Sequence, residues 1–160
     1  MILNKVTRIG VLATLTMGVM MTVGCSQNAQ TGEDGRLLPQ ANPYARDIPV
    51  PMGFRMVEDA CEDQLTGTRR LYLRHTYEGR AREKHAVRSF YEEQMPRARW
   101  TLVSNRNVKG TFALRFEKGG EACTITIRDA GRSLSANTQI EVVVVQEERG
   151  TSPGEPRTRQ

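Results

Sequence analysis

The stretch AREKHAVRSFYEEQMP, residues 81–96, is the one convincing helix in the sequence, and it decides the fold class. Its apolar side chains recur at i, i+3, i+4 and i+8, which is the spacing of one helix face. They are Val87, Phe90, Tyr91 and Met95. Charged residues occupy the opposite face, and Pro96 is expected to end the helix. We therefore predict an amphipathic helix from about Ala81 to Met95 that packs by one apolar stripe.

Alternating apolar and polar residues indicate short strands on both sides of this helix. The expected strands are residues 54–59 and 70–78 before it, a strand starting near Trp100 after it, and then residues 111–117, 122–128 and 140–145. Turns are predicted at Gly67, 105–110, 118–120 and 131–137. The last strand is apolar on both faces, which favours a central position. The order ββαββββ predicts an α+β fold, a single antiparallel sheet with the helix packed on one face.

The composition divides the chain into four parts. Residues 1–24 are predicted to be a signal peptide, and residues 25–46 a flexible tether whose apolar content is the pair Leu37 and Leu38. Residues 47–146 form the α+β domain, and residues 147–160, rich in Gly, Pro and charge, a disordered tail. Each boundary follows a change in apolar content or a cluster of prolines and glycines.

The first part has the layout of an export signal. Lys5 and Arg8 precede an uncharged run, residues 9–23, that is too short to span a bilayer comfortably. Removal of the signal peptide would remove these two cations and leave 21 basic and 18 acidic residues, so the formal net charge would fall from +5 to +3. The basic isoelectric point is therefore weak evidence for a polyanionic partner.

The residues before Cys25, Thr22-Val23-Gly24, resemble the lipobox of bacterial lipoproteins, although Leu is commonest where Thr22 stands. The resemblance implies that Cys25 is lipidated and becomes the first residue of the mature chain. Such acylation holds a protein durably at a membrane. Ser26 stands where Asp would imply retention in the inner membrane. The expected location is the cell envelope, anchored to the outer membrane and facing the periplasm.

The domain itself is similar to small exported lipoproteins of Gram-negative bacteria whose activity is not assigned. The similarity rests on short elements over residues 47–145. They are Asp47-Ile48-Pro49-Val50-Pro51, Phe90-Tyr91, Gln94-Met95-Pro96, Trp100 with Leu102, Phe116-Glu117-Lys118 and Cys123-Thr124-Ile125-Thr126-Ile127. The similarity implies an exported sheet-and-helix domain and assigns no catalytic or binding residue.

Two cysteines remain once Cys25 is lipidated. Cys61 and Cys123 are a candidate disulfide in an oxidising compartment, with two separate buried thiols as the equal alternative. A catalytic Cys61 with His75 or His85 is a third reading that rests on residue type alone. No metal-ligand spacing surrounds the histidines, and no cofactor motif occurs, so we predict neither metal nor cofactor.

A basic run covers the predicted second strand and the start of the helix. Arg70, Arg74, Arg82 and Arg88 within it are a possible anion-binding face, although a solvated surface is the simpler interpretation. Nucleic acid is disfavoured because the chain is expected to leave the cytoplasm.

These observations predict a membrane-anchored envelope lipoprotein whose small non-enzymatic domain binds or scaffolds another component. Its partner would be an envelope protein or an anionic glycan or lipid. The alternatives are an envelope hydrolase with an unrecognised site and a carrier that holds a small ligand in the gap between helix and sheet.

Overall fold

The computed structural model describes residues 29–80, 84–131 and 137–147. The predicted signal peptide, Cys25, Arg82 and nearly all of the predicted tail lie outside these residues. Seven strands and one α-helix follow one another along the chain. They are β1 Arg55–Met56, β2 Glu62–Thr66, β3 Arg69–Gly79, α1 Lys84–Arg97, β4 Thr101–Val108, β5 Thr111–Lys118, β6 Glu121–Asp129 and β7 Thr138–Gln146. No helix in the described part of the chain has the length and apolarity needed to cross a membrane.

The strands form one antiparallel sheet in the order β1-β3-β7-β6-β5-β4, and β2 also pairs with β3. The predicted single antiparallel sheet with one helix is present, but the sheet dominates, so the α+β description is only roughly matched. The predicted central position of β7 is confirmed, since it lies between β3 and β6. Its apolar residues on both faces suit that place.

One face of the sheet carries the core. The register aligns Leu73, Val144, Cys123 and Phe116 in a single row across β3, β7, β6 and β5. All four are buried, as are the next core-face residues along each of these strands. The helix α1 packs on this face over β4, β5 and β6 with the stripe that its spacing predicts. Val87, Phe90, Tyr91 and Met95 are all buried.

The helix and β4 both run further than predicted. Pro96 lies inside α1, because the last turn closes beyond it through Ala98 N–H to the carbonyls of Gln94 and Met95. Similarly, residues 105–108 belong to β4, and the turn is confined to Lys109 and Gly110. Both have positive φ, 50° and 79°, as a tight two-residue hairpin turn requires.

The region before β3 also differs from the prediction. The strand expected over residues 54–59 is reduced to the two residues of β1, and a 3-10 turn, Glu58–Ala60, follows it. The residues after this turn form β2, which pairs with β3 around Gly67, whose φ is 60°. The predicted turn at Gly67 is therefore present, but three strands precede the helix where two were expected.

The described part of the predicted tether, residues 29–46, is packed against the domain. Together with residues 47–54 it forms a segment that we call the strap (residues 29–54). Backbone hydrogen bonds fold the strap on itself, with Met52 N–H on the Leu38 carbonyl at 2.7 Å and Gln40 N–H on the Val50 carbonyl at 2.9 Å. Leu37 is buried in the core. The mostly polar composition of these residues predicted a tether. Their few apolar residues pack against partners that are distant in sequence, so local composition does not show this packing.

Asp47 pins the strap to one end of the sheet. Its carboxylate accepts hydrogen bonds from Arg70 at 3.2 Å and Lys118 at 3.0 Å, and its carbonyl accepts one from Trp100 Nε1 at 2.8 Å. Burial alone would raise the pKa of Asp47, but the hydrogen bonds and charges of these two cations outweigh it and hold the pKa below its usual value. Asp47 is therefore ionised at neutral pH, as its role requires.

The strap offers a matched pair of substitutions. Leu37 is 7% exposed and its neighbour Leu38 is 40% exposed. Leu37→Ala removes buried apolar contacts and is expected to lower the free energy of unfolding by about 2–5 kcal/mol. Leu38→Ala should change it by less than about 0.5 kcal/mol. Urea denaturation of both variants provides the measurement, and equal small effects would show that the strap does not belong to the core.

Candidate functional site

A chain of polar side chains lies between the strap, β2 and β3. We call Tyr44, Asp63, His75 and Tyr77 the polar cluster. His75 is 1% exposed. Its Nε2 lies 2.8 Å from Asp63 Oδ1, and its Nδ1 lies 3.3 Å from the Tyr77 hydroxyl. The ring of Tyr44 packs edge-on against the imidazole, with centroids 4.6 Å apart.

The β2–β3 hairpin brings the cluster together. Asp63 is opposite Leu73 in the register, so it is a diagonal neighbour of His75, two residues further along β3. His75 and Tyr77 are also two residues apart and therefore share the core face of β3. Tyr44 comes from the strap. The cluster thus joins three segments that are separate in sequence.

His75 Nε2 and Asp63 Oδ1 form one hydrogen bond, and His75 Nδ1 and the Tyr77 hydroxyl form another. The surroundings of the two tyrosines shift their pKa values. A hydrogen bond to Asp63, followed by the charge of Asp63, raises the pKa of Tyr44. Burial, followed by nearby Cys61, Asp63 and Tyr44, raises the pKa of Tyr77 to about 12. Both hydroxyls therefore keep their protons at neutral pH.

The hydroxyl of Tyr91 is a further polar group, and it lies in the core. It is fully buried on α1, and its ring packs edge-on against Phe90 at 5.2 Å. Burial, with smaller effects from Tyr77 and Cys123, raises the pKa of Tyr91 well above its usual value. Among the described residues its hydroxyl has no hydrogen-bond partner. The Tyr91 hydroxyl is thus an unpaired buried donor, and it lies near Tyr77 of β3 and Cys123 of β6.

The two cysteines are free thiols. Cys123 lies in the middle of β6, opposite Phe116 and Val144, and burial raises its pKa to about 12. Cys61 is half-buried and donates to the Val57 carbonyl at 3.2 Å. Of the two alternatives that the sequence leaves open for this pair, the structure has the separate thiols and not the disulfide.

The geometry does not join Cys61 to a histidine. Both nitrogens of His75 are engaged by Asp63 and Tyr77. His85, on α1, packs edge-on against Phe112 with centroids 4.9 Å apart. The catalytic Cys61–His75 or Cys61–His85 pair therefore gains no support from the described residues.

The possible anion-binding face is divided among separate ion pairs. Arg70 is only 15% exposed and is held by Asp47 and Glu121, at 3.2 and 3.0 Å, so it does not face water as expected. These partners are distant in sequence, which is why the local pattern misses them. The other two described members are paired nearby. Arg74 contacts Glu62 at 3.4 Å, and Arg88 contacts Glu92 at 3.0 Å and lies 5.5 Å from the Phe112 ring.

No group of three or more His, Cys, Asp or Glu side chains in the described ranges is arranged to hold a metal ion. The two acidic residues that follow Cys61 have separate partners, since Glu62 contacts Arg74 and Asp63 contacts His75. A shallow open depression of about 600 Å³ lies beside Asp47, Arg70 and Glu121. Its lining is polar and already paired, unlike the enclosed apolar pockets that hold small molecules.

The sequence alone did not group the residues of the polar cluster into one site. The Gly67 turn alone does not predict that Asp63 lies beside His75, because a register shift between Gln64 and Leu65 moves Asp63 one residue along β3, to a position opposite Leu73. Tyr44 could not have been found, since it lies in the predicted tether. Tyr91 was predicted correctly as a core residue, but a helix pattern does not show that its hydroxyl lacks a partner.

A family model described as "START domain-like" matches residues 70–148, just under half of the chain. The matched range runs from the start of β3 through α1 to the end of β7, and contains His75, Tyr77, Tyr91 and Cys123. Tyr44 and Asp63 lie outside it. No curated protein and no solved structure matches the chain. The similarity is compatible with a small, non-enzymatic binding domain.

The two thiols are expected to react differently. A water-soluble thiol reagent should modify Cys61 in the folded protein, since its side chain is half-exposed, and should reach Cys123 only after denaturation. Mass spectrometry of tryptic peptides, before and after adding guanidinium, would measure this. Failure of both cysteines to react under denaturing, non-reducing conditions would show a disulfide and contradict the structure.

Proposed function

We propose that the chain is a membrane-anchored envelope lipoprotein, acylated on Cys25, whose domain binds a small ligand between α1 and the sheet. The observation that carries the ligand site is the buried Tyr91 hydroxyl, which has no hydrogen-bond partner among the described residues. The similarity to START domain-like proteins over residues 70–148 supports a small-ligand domain. The anchor rests on the sequence around Cys25.

Energetics favour a polar partner for Tyr91. Leaving a buried hydroxyl unpaired costs about 1–3 kcal/mol, and native structures contain few such groups. A ligand with one oxygen or nitrogen acceptor in this space would recover that cost on binding. The core cluster that contains Tyr91 also includes Val87, Met95, Leu73 and Ile125, which are buried and apolar. The ligand is therefore a mainly apolar molecule with a hydrogen-bond acceptor.

The strap and polar cluster provide the route to this space. Leu37, Ile48, Val50 and Phe54 of the strap close the core, so a ligand enters by displacing part of it. Tyr44 contributes to the cluster from the strap and is 63% exposed. His75 and Tyr77 continue inward from it. An entering ligand thus passes hydrogen-bonding groups before it reaches Tyr91.

A non-enzymatic role fits the same arrangement. His75 is buried and both of its nitrogens are used, so it positions Tyr77 and Asp63 and is not presented to a substrate. Acylation of Cys25 would keep the domain at a membrane, with the outer membrane favoured by Ser26. A ligand held there is stored, sensed or passed on, and is not chemically changed.

Native mass spectrometry of the protein purified from its host would test both parts of the proposal. The mature chain should begin at Cys25 with the added mass of acyl chains, and a fraction of it should carry a further non-covalent mass. Cys25→Ser should abolish acylation, because the thiol is the acylated group, and should move the protein out of the membrane fraction.

Two matched tyrosine-to-phenylalanine substitutions test where the ligand binds. Tyr91→Phe should lower ligand occupancy about fivefold or more, since it removes one hydrogen bond to a buried partner. Tyr72→Phe makes the same change on β3 but on the opposite face of the sheet, and should leave occupancy unchanged. A protein without non-covalent mass, or equal effects of the two variants, would contradict the site, while an unmodified Cys25 would contradict only the anchor.

A further inference from the structure

The strap begins at one particular end of the sheet. Ala29, the first described residue, donates its N–H to the Arg80 carbonyl at 3.1 Å, directly after β3. The register places Gly79 opposite Thr138 and Thr138 opposite Asp129, and Val108 is opposite Thr111. This end of the sheet therefore contains the end of β3, the start of β7, the end of β6 and the β4–β5 turn. We call it the Ala29 end.

The Ala29 end is basic. The described cations there outnumber the carboxylates by five to two. The cations are Arg55, Arg80, Lys84, Lys109 and Arg128, and the carboxylates are Glu78 and Asp129. Lys84 contacts Asp129 at 2.8 Å, whereas Arg55, Arg80 and Lys109 are exposed and have no side-chain partner among the described residues. Val108 beside Lys109 is 62% exposed.

The opposite end of the sheet carries several ion pairs. Asp47 and Glu121 bind Arg70, and Asp47 also binds Lys118. Exposed Arg69, Arg97 and Arg99 at that end have no carboxylate partner among the described residues. Both ends therefore carry unpaired positive charge, and the position of the chain that leads to Cys25 distinguishes them.

We propose that the Ala29 end faces the headgroups of an anionic membrane, and this inference rests on the proposed acylation of Cys25. Only three residues separate Cys25 from Ala29, and four Cα–Cα steps span at most about 14 Å. Ala29 is itself fixed to β3. An acylated Cys25 therefore brings this end, and not the opposite one, to the membrane surface.

The Ala29 end is basic and lies close to Cys25 in the chain, and both properties favour contact with an anionic membrane. The potential of an anionic membrane decays over a Debye length of about 8 Å at physiological ionic strength. Ala29 is bound to the Arg80 carbonyl, so a Cys25–Ala29 segment shorter than its full reach brings Arg80 inside this range. Each such basic residue increases association with an anionic surface about fivefold. The exposed Val108 adds apolar contact at the headgroup boundary.

Amine footprinting of the acylated full chain tests the orientation. The protein, with acylation of Cys25 verified by its intact mass, is reconstituted into vesicles of phosphatidylcholine alone or with phosphatidylglycerol. A water-soluble amine reagent is applied, and each lysine is quantified by mass spectrometry. Lys109 should react at least about fivefold more slowly in the anionic vesicles, and 0.5 M salt should restore its reactivity. Lys118, at the opposite end, should react equally in both.

A matched pair of charge reversals completes the test. Arg80→Glu should remove most of the protection of Lys109, because it reverses a charge at the Ala29 end. Arg97→Glu makes the same change at the exposed C-terminal end of α1 and should leave the protection intact. Equal reactivity of Lys109 in both vesicle types, in protein that is acylated, overturns the inference and leaves the anchor standing. An unmodified Cys25 overturns both.

Discussion

The fold depends on covering one face of a sheet that is wider than its helix. Six strands side by side are roughly 25 Å across, whereas a helix with its side chains is about 10 Å wide. α1 packs over β4, β5 and β6, so the apolar face of β3 and β7 needs another cover. The strap supplies it with Leu37, Ile48, Val50 and Phe54. Phe54 packs directly on Gly79, where an added Cβ would lie 2.7 Å from its ring.

This division of the cover has functional consequences. The helix is bound to the sheet by its apolar stripe, while the strap is bound by four separate apolar residues and by hydrogen bonds that lie mainly within the strap. Polar groups occur along the boundary between the two, from Tyr44 and His75 to the unpaired Tyr91 hydroxyl. The segment that closes the interior also leads to Cys25. Under the proposed function, ligand entry and membrane anchoring would involve the same stretch of chain.

The sequence predicts what depends on local periodicity. The helix stripe, the central β7 and the turns at Gly67 and residues 118–120 follow from spacing and composition. The packing of residues 29–46 was missed because this stretch is mostly polar and its apolar pair, Leu37 and Leu38, shows no periodicity. Arg70 was predicted to face water because its ion-pair partners, Asp47 and Glu121, are distant in sequence. Contacts between remote polar residues have no periodic signal.

Hydrogen exchange of the strap amides tests most directly whether this segment is part of the fold. The N–H groups of Leu38, Gln40 and Met52 donate to strap carbonyls at 3.1, 2.9 and 2.7 Å. They are expected to exchange at least about a hundredfold more slowly than in an unstructured peptide, but faster than the amides of β6, because the strap opens before the sheet unfolds. Exchange of all three at the unstructured rate would show that the strap is not part of the fold.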